Sequence, residues 1–304
     1  MMFSVIEVPP DVTRQDELLG TKPKFWFREE EPLAANLSAF LLFKRGRSNE
    51  DWSEKVAEVV ANAIGLPTAS VELAMCAGED GTVSRSFLSE GDQMYHGNEL
   101  LLARDADYPL SGTYRIRQHT VEAMFDAIVW NAAGVPPGFE GAWDDFDGCD
   151  LMVGYLALDV LIGNTDRHHE NWAVIRRGPS AFIAPTYDHA ASLGRNETLR
   201  RIAERLDGPD PRVTVEAYVG RGRSALYDPQ SARALTTLEA FRRAASIRPS
   251  AARYWISKIR ATPAEGLMAL VEHVPDDRIS PLNRRFAQAI LLCNWKRLVA
   301  AHGD

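Results

Sequence analysis

Apolar and aromatic residues in the first third of the chain come in short runs broken by turn residues, so Lys24 to Phe27 and Ser38 to Lys44 read as strands. One helix interrupts them. It is predicted to begin near Asp51, which with Glu54 three residues on makes a capping-box pattern. It carries Val56, Val59, Val60, Ala63 and Ile64 on one stripe until Gly65 and Pro67 stop it. Strands resume at Val71 to Met75 and Thr82 to Leu88, flanking Gly78-Glu79-Asp80-Gly81, a turn signal for a hairpin. Beyond about residue 110 the period becomes helical, in Thr120 to Trp130, Leu151 to Ile162, Leu235 to Ala245, Tyr254 to Ile259 and Phe286 to Ala300. The pattern predicts an α+β chain with a small β-rich lobe over residues 1–110 and a larger, mostly helical one over 111–304. The Gly/Pro/Asp stretch from Gly134 to Gly148 reads as a long surface loop.

Chemistry concentrates after one helix. Leu151, Tyr155, Leu158 and Ile162 mark its buried face, Gly163-Asn164 ends it, and Asp166-Arg167-His168-His169-Glu170-Asn171 follows. An apolar strand from Trp172 to Ile175, a turn at Arg176 to Pro179, a second strand from Ala181 to Ala184 and Tyr187-Asp188 complete the stretch. This order of helix, polar loop, hairpin and acidic residue suits phosphoryl transfer. There one carboxylate meets the attacking hydroxyl while an Asn and a second carboxylate hold magnesium against the phosphates of ATP. Asp166 and Asn171 have the D-x-x-x-x-N spacing of a protein-kinase catalytic loop, and Asp188 stands where a metal-binding Asp follows the hairpin.

The formal net charge of −8 gives no broad electrostatic grip on nucleic acid, and direct nucleic-acid binding is not expected. Cys76, Cys149 and Cys293 form no CxxC pair, which suits a reducing compartment. The stretch from Met1 through Asp16 lacks a basic segment followed by a long apolar one, and no apolar run approaches membrane-spanning length. A cytoplasmic, untethered protein is expected.

The segment Leu161-Ile162-Gly163-Asn164-Thr165-Asp166-Arg167-His168-His169-Glu170-Asn171 resembles the catalytic segment of HipA-like serine/threonine kinases, roughly IGNxDxHxxN, and Tyr187-Asp188 matches the YD pair that follows. Upstream, Phe40 to Lys44 resembles the strand that holds the ATP-contacting lysine, and Ser53-Glu54-Lys55 the start of the next helix, so the likeness spans roughly residues 18 to 190. The resemblance implies a two-lobed protein-kinase-like fold, with Asp166 as catalytic Asp, Asn171 and Asp188 as magnesium ligands and Lys44 as the phosphate-binding lysine. Gly20 and Lys24, in the candidate nucleotide loop Leu19 to Lys24, join Glu54 and His168 on the ATP side. That loop is poorer in Gly, Ser and Gln than the family's. Fewer than twenty residues precede it, so the resemblance implies a short form without the extra N-terminal subdomain of larger HipA proteins. A separately encoded antitoxin or regulatory partner, a protein substrate with a Ser or Thr acceptor, and autophosphorylation are further implications.

Other uses of these residues stay open. Glu54 serves equally as a partner of Lys44 or as a capping-box residue, and Lys44 at a strand end can be a solvated charge beside Arg45 and Arg47. His168 reads as a brace of the loop, although with His169, Asp166 and Glu170 it could also make a hydrolytic metal site. The aromatics of Lys24 to Phe27 read as core and adenine-pocket wall. A phosphatidylinositol-type lipid kinase shares the D-R-H-x-x-N loop, and a catalytically dead kinase-like binding module is the alternative outside enzymes.

Overall fold

Six strands of the amino-terminal region join one sheet in the order β1-β5-β6-β4-β3-β2. They are β1 Val5–Val8, β2 Arg14–Asp16, β3 Lys24–Arg28, β4 Phe40–Arg45, β5 Val71–Cys76 and β6 Glu79–Arg85. The structure, a computed structural model, describes residues 2–17, 23–29, 38–110, 112 and 115–300. Directly paired residues of neighbouring strands share a face. Phe25, Phe43 and Val83 therefore lie together, and with Phe27, Leu41, Ala74 and Val8 they form a small apolar core on one side. The other side carries Lys44, Thr82 and Leu73, in register with one another, and faces α1, Glu50–Ala63. Phe25 and Phe27 are thus walls of the core turned away from Lys44, not walls of a pocket beside it. The β5–β6 hairpin closes at Ala77-Gly78, both left-handed at φ 52 and 78, as a two-residue loop of that twist requires. Glu79 to Gly81, expected in the turn, belong to β6.

Helix α1 starts at Asn49, its N-cap, rather than at Asp51. Asp51 lies inside the helix, and its carboxylate pairs with Arg278, 3.0 Å away. Val56 and Val60 are buried as predicted, but so are five charged residues of the first three turns, each with a partner. Glu50 meets Arg195, Asp51 meets Arg278, Glu54 meets Lys44, and Lys55 meets both Glu58 and Glu72. A helix whose amino-terminal half is charged yet buried is held there by specific ion pairs.

The rest of the chain is mostly helical. It comprises β7 Gln93–His96, α2 Gly97–Arg104, α3 Val121–Trp130, α4 Gly148–Ile162, β8 Ala173–Arg177, β9 Ser180–Ile183, α5 Leu199–Asp207, α6 Val215–Arg221, β10 Arg223–Tyr227, β11 Ala234–Thr236, α7 Thr237–Ile247, α8 Pro249–Ala261, α9 Ala264–Val271 and α10 Pro281–Ala300. All of α4 is buried, not one stripe of it, because α3, α7, α8, α10 and α1 surround it. Helix α8 comes so close that a Cβ on Gly154 would lie 2.5 Å from the Trp255 ring. The sequence-based boundary at residue 110 falls after α2, yet β7 pairs with β8 and α2 packs on α3. The stretch from Gly134 to Gly148 is more than a surface loop. Its backbone bonds β9 through Gly134, Phe139 stacks on Trp255 and Phe146 meets the same ring edge-on. No described helix is long and apolar enough to cross a membrane, and all three cysteines are free and buried.

Candidate active site

The polar loop hangs from the end of α4. Gly163 takes the left-handed conformation that ends a helix (φ 66), and the Asn164 amide bonds back to the Asp159 carbonyl at 2.8 Å. Asp166 N–H then donates to Asn164 Oδ1 (3.1 Å). The Asp166 carbonyl accepts from both His168 N–H and Asn171 Nδ2, each at 2.7 Å. Asp166 and Asn171 are thereby brought together by the loop's own hydrogen bonds. The Asp166 side chain is 25% exposed, while Asn171 is buried. His168 braces the turn, its Nδ1 accepting from Glu170 N–H at 3.2 Å, with Nε2 4.0 Å from Asp166 Oδ1.

Beneath the loop lies a buried polar network that sequence reasoning missed. The Arg167 guanidinium, 1% exposed, forks onto Asp159 at 2.9 and 2.7 Å and donates to the Asn171 carbonyl (2.7 Å) and Thr186 Oγ1 (3.2 Å). Burial opposes its charge, but Asp159 outweighs burial and the pKa rises above its ordinary value. Thr186 Oγ1 also meets His189 Nε2 at 2.7 Å. Burial and the nearby Arg167 hold His189 well below the usual histidine range, so it is neutral. The signal was a charged Asp159 amid the apolar run Leu158 to Ile162.

Three elements converge on Lys44. Its Nζ lies 3.3 Å from Glu54 Oε1 on α1 and 3.7 Å from Asp188 Oδ1 after β9. Glu54 is therefore a partner of Lys44, and Thr82 Oγ1 on β6 reaches its other oxygen at 3.5 Å. Lys44 is no solvated strand end: its side chain is 14% exposed. Burial pulls its pKa down, yet Asp188 and Glu54 outweigh it and raise the pKa above its ordinary value, so the ammonium persists. Asp188 sits in the left-handed region at φ 57, a conformation Asp tolerates better than most residues and one that recurs at functional sites. Arg167–Thr186 and the 3.5 Å bond from Thr165 N–H to the Ala191 carbonyl join the Lys44 cluster to the Asp166 loop. Lys24 is the cross-strand neighbour of Lys44 and shares its face. Gly20 and most of the candidate nucleotide loop lie outside the described residues, between the paired strands β2 and β3.

Among the described residues, no three His, Cys, Asp or Glu groups come close enough to hold a metal. A hydrolytic site built on His168 and His169 does not fit this. His169 instead bonds the Tyr108 hydroxyl through Nδ1 at 2.9 Å, and burial lowers its pKa. One carboxylate and one Asn suit magnesium, which keeps few protein ligands and shares the phosphate oxygens of its nucleotide.

The fold, a six-stranded sheet carrying a lysine–glutamate pair beside a mostly helical region with a buried central helix, is shared with two solved structures. The chain superposes on the Helicobacter pylori proinflammatory kinase CtkA with a TM-score of 0.69 at 14% identity, over 98% of this chain and 99% of that one. It superposes on HipA of the Shewanella oneidensis MR-1 toxin–antitoxin system, solved with HipB and operator DNA, with a TM-score of 0.54 at 14% identity, over 92% of this chain and 64% of that one. No protein-family model and no curated protein sequence matches the chain.

Proposed function

We propose that the chain is a two-lobed, ATP- and magnesium-dependent phosphotransferase that moves the γ-phosphate to a serine or threonine hydroxyl of a protein. The observation that carries this reading is Lys44, held by ion pairs to Glu54 on α1 and Asp188 after the hairpin, in a cluster joined through Thr186 and Arg167 to the loop that ties Asn171 to Asp166. Lys44 is placed to grip the phosphates, with Glu54 fixing its ammonium. Asn171 and Asp188 would hold magnesium, which when bound spreads the charge that develops on the transferred group. Asp166, partly exposed on a hydrogen-bonded loop, orients the acceptor hydroxyl and takes its proton. The apolar cluster of Phe87, Leu88, Met94 and Tyr187, half-buried beside Asp188, is the proposed wall for the adenine ring.

The fold shared with HipA, crystallised in a toxin–antitoxin assembly, supports a separately encoded partner as part of the same proposal, which also takes the setting as cytoplasmic. Autophosphorylation belongs to it as well. The test is magnesium-dependent ATP binding and transfer by purified protein, offered protein acceptors and lipid vesicles in parallel. Transfer to serine or threonine of protein supports the reading. Transfer to lipid alone moves the acceptor to a phosphoinositide-type headgroup, and ATP bound with no transfer leaves a binding module.

A further inference from the structure

In protein kinases the Lys–Glu pair and the metal-binding Asp must both be in place, and a phosphorylated segment commonly orders them through new arginine–phosphate pairs. Here the segment that follows Asp188 is already tied to α1 by other means. Ser53 Oγ, fully buried, lies 3.0 Å from both the carbonyl and the hydroxyl of Ser192 and 3.3 Å from the Ala190 carbonyl. Glu50 pairs with Arg195, and Asn49 Nδ2 donates to the Arg195 carbonyl at 3.2 Å. Asn49 Oδ1 accepts from Trp52 Nε1 (3.0 Å) and from Asn283 Nδ2 on α10 (2.8 Å), which ties the same helix end to the helical region. From the other side, Leu193 N–H bonds the Ile162 carbonyl at 2.8 Å, and Gly194 approaches Phe286 so closely that a Cβ there would lie 2.4 Å from the ring.

Glu50, Ser53 and Glu54 stand at helix spacings of three and four, on one face of α1. A rotation of α1 that released Ser53 or Glu50 would carry Glu54 away from Lys44, since the Lys44–Glu54 contact is only 3.3 Å long. Arg167, beside the catalytic carboxylate, is buried and its donors are committed to Asp159, Asn171 and Thr186, so it is not available to receive a phosphate.

We propose that residues 189–195 are a built-in brace: Glu50, Ser53 and Arg195 are positioning residues that set Glu54 on Lys44, and the site assembles without phosphorylation of that segment. This rests on the phosphotransferase reading, and the test separates the two. Phosphatase-treated protein, shown by intact mass to be unmodified, is compared with Ser53→Ala, Arg195→Ala and the conservative Arg195→Lys. Hydrogen exchange without nucleotide is read for residues 48–56 and 189–197, followed by Mg-ATP affinity and transfer kinetics.

Unmodified wild type should transfer without a lag. Arg195→Ala and Ser53→Ala should exchange faster in both segments and raise KM for ATP about tenfold, the loss expected for one buried charge-assisted contact. KM for the acceptor should not move, and Arg195→Lys should stay within about threefold of wild type, since it keeps a cation facing Glu50. Unchanged exchange and ATP affinity in both alanine variants, or a wild type that gains activity only after modification of residues 189–197, overturns the brace. Wild type that binds no Mg-ATP sinks the phosphotransferase reading instead. The brace is then judged by exchange alone, with faster exchange supporting it and unchanged exchange refuting it.

Discussion

Replacing Asp159 by Asn removes the countercharge of a guanidinium that has almost no contact with water. The Asp159 side chain is 3% exposed and that of Arg167 1%, and they meet through two hydrogen bonds of 2.9 and 2.7 Å. An amide of the same shape keeps one acceptor oxygen but turns an NH2 toward an Arg167 donor. It also leaves the charge uncompensated, with Thr186 Oγ1 and the Asn171 carbonyl as its remaining acceptors. Breaking one side of a buried pair costs about 3–5 kcal/mol, because the surviving charge cannot be rehydrated in place. Urea unfolding, followed by the fluorescence of the chain's seven tryptophans, should show the midpoint falling with an unchanged slope. The loss should be nearly independent of salt, unlike that of an exposed pair such as Arg200–Glu204.

A second variant separates stability from function. Asp159→Leu with Arg167→Met removes both charges and should recover much of the stability, since apolar replacement of a buried pair is often neutral or better. It should not recover phosphate transfer, because the Asn171 carbonyl loses the donor that fixes it. A cost below about 1 kcal/mol for Asp159→Asn would refute the reasoning and mean that water reaches Arg167.

The other predictions concern the site itself. Asp166→Asn should bind Mg-ATP nearly normally and transfer phosphate about 10²–10⁴-fold more slowly, the loss typical of a removed acid/base group; equal damage to binding would make it a metal ligand. Asn171→Ala should impair binding and transfer together, since it removes a metal contact and the 2.7 Å bond to the Asp166 carbonyl, and a pure rate defect would contradict this. Lys44→Ala should weaken ATP use and also destabilise the fold, because Glu54 loses its cation; Lys44 has a raised folded pKa, so its stabilisation is full below the ordinary 10.5 and fades only at higher pH, which unfolding midpoints at pH 7 and 11 would test. His119 donates through Nδ1 to the Ala225 carbonyl (2.9 Å) and accepts from Trp172 Nε1 (3.1 Å); burial lowers its pKa to about 3, so its stabilisation is full above the ordinary 6.5 and falls by about 1.4 kcal/mol per pH unit between 6.5 and 3. His119→Phe should flatten that acid slope by one proton, and an unchanged slope would contradict the assignment.

Long periodic elements were legible in the sequence because burial writes a period into them: α3 falls where Thr120 to Trp130 placed it, and α10 ends at Ala300 as read from Phe286 onward but begins earlier, at Pro281. The loop and hairpin after α4 were legible because Gly163-Asn164 end the helix and apolar runs flank the turn at Arg176 to Pro179. What could not be read were contacts between residues distant in the chain. Nothing local marks β7 as the partner of β8, some eighty residues on, or turns Asp51 from a cap into the partner of Arg278. The solvated reading of Lys44 stayed open beside the phosphate-binding one for the same reason, since Glu54 and Asp188 reach it from other elements. The wholly buried α4 defeated a one-face reading because a helix surrounded on all sides carries no polar face to give the period away.

The two halves of the proposed chemistry rest on different supports, and the difference has a consequence. The Asp166 carbonyl is fixed by two donors, and its loop rises from a fully buried helix over the Arg167–Asp159 pair. A carboxylate on such a base stays in place whether or not ligand is bound, which suits proton transfer, where small misplacements are costly. Lys44 sits instead on a sheet joined to the helical region by several separate contacts: α1 with its ion pairs, Arg278 on Asp80, the Lys44–Asp188 pair, and the backbone bonds of Pro67 and Ala69 to Thr186. Its position therefore depends on how α1 and these contacts are held, not on a buried helix beneath it. Substitutions under α4 should lower stability and rate together, whereas substitutions around α1 should act first on nucleotide affinity.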